Sequence, residues 1–162
     1  MILTLCSDPA LVKQQQYQQP RAWLDALQQT GWLRHQLPTA IGQVPAETLD
    51  IRLRPAFSSI LSAVAGEQWL AVGDAATGYD PISAAGITKA LQHGQQAATA
   101  MVRYAQSGEW SNLAGYQDRV FADFNQYVGV RRQLYHGERR FWNAPFWQRR
   151  RGDIGDGQVV QR

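Results

Sequence analysis

The residues best suited to chemistry fall in one run, Trp69-Leu70-Ala71-Val72-Gly73-Asp74-Ala75-Ala76-Thr77-Gly78-Tyr79-Asp80-Pro81-Ile82-Ser83-Ala84-Ala85-Gly86-Ile87-Thr88-Lys89-Ala90-Leu91. Its physical reading is a buried strand, a Gly-Asp corner, a loop of small residues and a helix start. Gly73 permits a tight turn or a close backbone approach. Asp74, at the end of the strand, offers an acceptor pointed out of the sheet and suited to a ligand hydroxyl. Asp80-Pro81 signals a turn, and Pro81 restricts the chain before the helix. Gly86 lets a ligand approach the first helical N–H groups. A helix N-terminus there presents unpaired donors and partial positive charge, which would stabilise negative charge developing on a bound ring. Strand-Gly-Asp-helix runs are common without any ligand. The spacing of Pro81, Gly86 and Gly94 is what makes this one specific.

Other candidates carry less. His35, His93 and His136 lie far apart, with no Cys or carboxylate partners at ligand spacing, which argues against a metal site. Cys6, beside Ser7 and Asp8, reads as a small buried strand residue ahead of a reactive thiol. Lys89 is open between a ligand contact and a solvated helix face. Tyr79 and Asp80 are open between pocket lining and plain turn residues. From Arg131 to Arg151 there are seven arginines and one acid, Glu138. Such a patch can meet nucleic acid, a membrane surface or an acidic partner; a solvated or intramolecular charge cluster is the favoured reading. Phe141, Trp142, Phe146 and Trp147 read as packing a terminal helix on the core, with arginines stacked on the rings, ahead of stacking nucleobases.

The elements that must position these residues follow from the patterning. Ile2 to Cys6 reads as a strand, and Pro20 to Gly31 as a short helix with Trp23, Leu24 and Leu27 on one face. The glutamines before it (Gln14, Gln15, Gln16, Gln18, Gln19) read as a polar helix surface. Leu37 to Pro45 is a loop. Leu49, Ile51 and Leu53 alternate with Asp50 and Arg52, as in a half-buried strand. Phe57 to Val64 fits helix or strand. Gln68 to Val72 is a short strand. Long helices are predicted from about Gly86 to Ser107 and from about Ser111 to His136, the second with Leu113, Tyr116, Val120, Phe124, Tyr127 and Leu134 at helical spacing. The tail from Gly152 to Arg162 is expected to be disordered. The 162 residues suffice for a real core, and the net charge is only +3. The single cysteine gives no internal disulfide, and no apolar run reaches the roughly 20 residues of a membrane helix, so a cytoplasmic location is the expectation.

The run at 69–94 resembles the third flavin-binding motif of the FAD-dependent aromatic hydroxylase and tryptophan halogenase superfamily, where Gly-Asp-Ala-Ala is followed by a proline and then a glycine opening a long helix. It looks closest to the flavoprotein monooxygenases that mature peptide-derived quinone cofactors, which pair Gly-Asp-Ala-Ala with Asp-Pro-(Leu/Ile)-Ser and Gly-Ile-x-x-Ala-Leu. Glu138-Arg139-Arg140 and Pro145-Phe146-Trp147-Gln148-Arg149-Arg150 resemble that subgroup's terminal cluster. The resemblance implies a helix-rich α/β fold, the C-terminal fragment of a flavoprotein monooxygenase, with few strands and two long helices after a strand-Gly-Asp loop. It implies FAD as cofactor. Gly73 would make the turn and Asp74 would bond a ribityl hydroxyl. Ala75 and Ala76 would approach the ribityl–phosphate region, Pro81 would lie near the ring, and Gly86 and Ile87 would donate backbone N–H groups to its N1/C2 edge. Lys89 would touch flavin or substrate if it is not solvated. The implied activity is hydroxylation of an aromatic or peptide-borne substrate through a reduced-flavin/oxygen intermediate, with a reductase or NAD(P)H as electron source. No catalytic residue is identified. Membrane is not an expected partner, and nucleic acid is a disfavoured one.

The pyrophosphate-holding Gly-x-Gly-x-x-Gly turn and the halogenase Trp-x-Trp-x-Ile-Pro motif are both missing from the sequence. The glycines of 152–157 follow no strand and open no apolar helix. Residues 1–68 therefore read as the remnant of substrate-domain sheet and helices, 69–151 as the flavin-contacting segment with the C-terminal helices, and 152–162 as a disordered tail. Two further readings stay open: a truncated non-catalytic remnant, ranked above an independently active enzyme, and a basic nucleic-acid-binding module.

Overall fold

The structure, a computed structural model, describes residues 2–37, 44–152 and 160–161. The chain divides into two units, Met1–Pro55 and Ala56–Arg162. In the first unit, short helices α1 (Pro9–Gln14), α2 (Pro20–Gln28) and α3 (Leu33–Gln36) precede a 3-10 turn at Ala46–Thr48. A proline opens both α1 and α2, where its missing N–H costs nothing. Leu27 is the buried residue of α2, on the face expected from the sequence.

Two strand expectations in this unit fail. Residues 2–6 and 49–53 carry no strand. Leu49 and Ile51 are half-buried and Asp50 and Arg52 exposed, but Leu53, the third apolar position of the alternation, is exposed as well. A strand also needs a neighbour to close its ladder, and no partner strand in the described residues meets either segment. Cys6 is consequently an exposed residue, not a buried strand position. Of the loop expected from Leu37 to Pro45, residues 38–43 lie outside the described residues.

The second unit contains β1 (Ser59–Ile60), β2 (Ala65–Gly66), β3 (Trp69–Leu70), β4 (Thr77–Gly78), α4 (Gly86–Ser107), α5 (Ser111–Gly137), α6 (Pro145–Arg151) and β5 (Val160–Gln161). β2 and β3 form a two-residue antiparallel hairpin, Ala65 opposite Leu70. β1 pairs antiparallel with β4 on one side and parallel with β5 on the other. Val160 and Gln161 of the tail pair in parallel with Ser59 and Ile60; residues 153–159, with most of the glycine-rich run, lie outside the described residues. The fold is helix-rich with few, very short strands.

α4 and α5 hold the core. The Ala97 and Ala100 side chains of α4 meet Leu113, Tyr116 and Val120 of α5, and Val64, Ala65, Ala71 and Ala76 from the hairpin and corner close the cluster. Gly108, at φ +70°, ends α4 in the left-handed conformation that favours glycine. Tyr116 donates its hydroxyl to the Ala71 carbonyl at 2.7 Å, and the Gln117 amide oxygen accepts from the Val64 N–H at 3.0 Å. These bonds satisfy backbone groups that the two-residue strands leave open. On α5 the expected apolar face is buried from Leu113 through Tyr127, but Leu134 is exposed and Tyr135 takes the inward position. A seven-residue step falls 20° short of whole turns, so a stripe counted in sevens drifts off the face within three heptads. The opposite side of α4 carries exposed Ile87, Leu91, Met101 and Val102. Among the described residues no helix is long and apolar enough to cross a membrane.

Candidate functional site

Gly73 sits at φ +59°, and a Cβ there would lie 3.2 Å from the Ala90 side chain. It thus turns the chain out of the hairpin while letting the corner pack against the start of α4. The corner itself is a 3-10 turn, Gly73–Ala75, so Asp74 sits in a helical turn two residues beyond Val72 rather than on a strand. Its side chain is 86% exposed. One oxygen, Oδ1, accepts from Lys89 Nζ at 2.7 Å.

Lys89 departs from the solvated helix face that is one of its two sequence readings. Its side chain is 3% exposed, so it is not on a solvated face. Besides Asp74 it donates to the Thr77 carbonyl at 2.5 Å, and it lies 4.4 Å from the centroid of the Tyr79 ring. α4 turns Lys89, His93, Ala97 and Ala100 to the same buried side. An ammonium on that side must find its partners inside the protein.

Asp80 was legible only as a turn or pocket residue; the structure makes it a buried hub. Its Oδ1 accepts from the Ile82 N–H at 3.0 Å, capping the Pro81–Ser83 3-10 turn. Its Oδ2 accepts from the Tyr135 hydroxyl at 2.7 Å and from Arg131 Nε at 3.3 Å. The Asp80 N–H in turn donates to the Tyr127 hydroxyl at 2.6 Å, which also meets Ser58 Oγ at 2.5 Å. Tyr79 stacks on Tyr127 with 3.8 Å between centroids and 7° between planes. Burial, reinforced by the Asp123 charge, pushes the Tyr79 hydroxyl up to about 12; burial and the Asp80 carboxylate push that of Tyr135 further up. Both rings stay neutral at ordinary pH. The network fixes the loop from Tyr79 to Ser83 that leads into α4. A sequence signal for it existed: Tyr127, Arg131 and Tyr135 recur at i, i+4 and i+8 on an otherwise apolar face.

Of the other predicted positions, Ala76 is buried in the core, Ala75 is exposed in the corner, and Pro81 opens its 3-10 turn on an exposed edge. Ala84, at φ +50°, turns the chain into α4. Gly86 is the first residue of α4, where a Cβ would meet nothing within 4 Å. Ile87 follows with its side chain exposed. No side chain caps this end of the 22-residue helix. The 69–91 run therefore brings an exposed carboxylate and an open helix start onto one corner, since Asp74 is tied to Lys89 in the first turn of α4.

His93, further along the buried side of α4, is 1% exposed and neither ring nitrogen has a hydrogen-bond partner. Asp123 of α5 stands 3.9 Å away, too far for a hydrogen bond, and the Tyr116 ring meets the imidazole edge-on. Burial holds its pKa below the usual value; Lys89 acts in the same direction and Asp123 against it. Among the described residues no group of three potential metal ligands occurs.

The arginine-rich end is spent largely on aromatic rings. The guanidinium carbons of Arg139 and Arg151 lie 4.8 and 3.8 Å from the centroid of the Trp142 ring, and Arg150 covers Phe146 at 3.6 Å. Arg140 bonds Glu138 and draws its carboxyl down to about 2. α6 packs on α5 through Trp147 against Tyr135.

No family model matches the chain. Over 98 residues it is 30% identical to LodB of Marinomonas mediterranea, a protein assigned as an FAD-dependent oxidoreductase; the match takes in 60% of this chain and 26% of that protein. Among solved structures, 90% of the chain superposes on 32% of the peptidyl tryptophan dihydroxylase QhpG, which is essential for tryptophylquinone cofactor biogenesis, with a TM-score of 0.68 and 21% identity. The chain shares the fold of part of that dihydroxylase. It spans about a quarter of the length of the curated relative.

Proposed function

We propose that this chain supplies one wall of an FAD site in a flavin-dependent monooxygenase that hydroxylates an aromatic or peptide-borne substrate. The observation that carries the reading is the corner where exposed Asp74 meets the open, uncapped start of α4. The similarity to an FAD-dependent oxidoreductase and the fold shared with a peptidyl hydroxylase support it.

The residues fit such a cofactor. Asp74 has one oxygen held by Lys89 and a side chain open to solvent, so it can accept from a polyol hydroxyl. A Cβ at Gly86 would meet nothing within 4 Å, so the backbone there is open to a ligand, and the N–H groups of Gly86 and Ile87 suit a carbonyl edge that gains negative charge on reduction. Exposed Ala75 and Pro81 flank the approach with little side-chain bulk, while buried Gly73 and Ala76 set the backbone of the corner behind them. Bound there, the flavin would supply two-electron transfer and oxygen activation, with electrons from a reductase or NAD(P)H. The chain's own part is to hold the ribityl arm at Asp74 and to favour an anionic ring at the α4 terminus.

Titration of the purified chain with FAD, followed by quenching of flavin fluorescence, tests the reading. Saturable quenching weakened by Asp74→Ala supports it. Quenching indifferent to Asp74→Ala removes the site assignment, and no quenching at all removes binding by this chain.

A further inference from the structure

Lys89 is a buried ammonium whose three hydrogens have three destinations: the Asp74 carboxylate, the Thr77 carbonyl and the face of Tyr79. We propose that Lys89 is a positioning residue that fixes the Asp74 carboxylate in the orientation needed to accept a ligand hydroxyl, an inference that rests on the flavin reading above.

The argument starts from an asymmetry. Lys89 is 3% exposed, whereas Asp74 is 86% exposed. An exposed aspartate in a turn is ordinarily free about both side-chain torsions, and ordering it on binding costs affinity. Here one oxygen is already held from beneath by a cation that cannot itself wander, since its other donors are committed to backbone and ring. The remaining oxygen faces solvent. Burying an ammonium is expensive, and an apolar side chain of similar length would pack the same position without that cost. What the amine adds is the fixed carboxylate.

The tie also spans the site. Thr77 belongs to β4, Tyr79 stacks on Tyr127 of α5, and Lys89 itself lies in the first turn of α4. Asp74 and the open helix start at Gly86 are thereby held at one spacing. Because the ammonium offsets the carboxylate's charge, the exposed oxygen suits a neutral polyol such as a ribityl chain rather than a cation.

Two measurements test this. In the first, riboflavin and FAD affinities are compared for wild type, Asp74→Ala, Lys89→Met and the double variant, with urea unfolding to confirm that each is folded. Lys89→Met should weaken binding by about three- to tenfold, the equivalent of freeing one ordered side chain. In the Asp74→Ala background it should then add nothing. Equal losses in both backgrounds would mean that Lys89 merely supports the fold, and would overturn the proposal. In the second, which needs no flavin, the Lys89 ammonium is observed by 15N NMR in wild type and in Asp74→Asn, a variant that leaves the lysine in place. A slowly exchanging signal that shifts and exchanges faster in Asp74→Asn supports the tie. A signal indifferent to Asp74 sinks it even if flavin binds. Failure of flavin binding with the NMR signature intact removes the cofactor assignment and leaves the tie standing.

Discussion

Replacing Asp80 with asparagine keeps the side chain's shape and removes its charge. Oδ1 takes the Ile82 N–H, and Oδ2 takes both the Tyr135 hydroxyl and Arg131 Nε. An amide can present its oxygen to only one of these two sets, so a donor is left facing a donor. Both members of the Asp80–Arg131 pair are about nine-tenths buried. Removing one partner of a buried ion pair costs about 3–5 kcal/mol, and the acceptor that asparagine retains brings the expectation to about 2–4 kcal/mol. Against a total stability of roughly 5–15 kcal/mol that is a large share. Tyr135→Phe deletes one donor and leaves the others, for about 1–2 kcal/mol. Because that hydroxyl's partner is Asp80, the double variant should fall short of the sum by about 1 kcal/mol. Urea unfolding followed by tryptophan fluorescence gives all four stabilities. An Asp80→Asn variant within about 0.5 kcal/mol of wild type, or strict additivity, would refute the assignment of Asp80 as hub.

His93 predicts an acid-side loss of stability. Its folded pKa is depressed, so below the unfolded value of about 6.5 the unfolded chain binds a proton that the folded one refuses. Its stabilising contribution is present above that pH and declines below it, with a limiting slope of about 1.4 kcal/mol per pH unit; urea midpoints at pH 7.5 and 5.5 should therefore converge in His93→Phe, and an unchanged difference would count against it. At Gly73, alanine should cost about 1–2 kcal/mol from the left-handed backbone alone, with the Ala90 contact adding to it. Gly94→Ala, which meets nothing within 4 Å in mid-helix, should stabilise by about 0.5–1 kcal/mol in the same thermal or urea assay. Tyr116→Phe should cost about 1 kcal/mol through the buried Ala71 carbonyl it leaves unpaired.

The sequence spoke clearly where a local period and local stops coincide. α4 runs from Gly86 to Ser107 as expected, because the glycine at each end is a positional signal and the buried residues repeat at helical spacing. The strands were harder. Residues 2–6 and 49–53 have the composition of strands, but pairing depends on a partner distant in sequence that patterning does not reveal. The corner at Gly73–Asp74 was legible from residue types, and the roles of its neighbours were not. Lys89 and Asp80 bear charges that composition assigns to the surface. Their burial follows from partners 12–15 and 51–55 residues away, a separation at which no local rule operates. Tyr127, Arg131 and Tyr135 on one helical face were the available clue.

The Asp80 network also bears on the order in which the molecule assembles. Tyr127, Arg131 and Tyr135 follow Asp80 by 47, 51 and 55 residues, so each reaches it only by closing a long loop. Until then the carboxylate has every reason to stay in water, and the Tyr79–Ser83 loop has no anchor. The corner proposed to receive the flavin is thus latched by a nonlocal closure. The same dependence runs in reverse: any opening that lifts the C-terminal half of α5 unlatches the loop with it, and the Ile82 amide should exchange with solvent in step with the α5 amides.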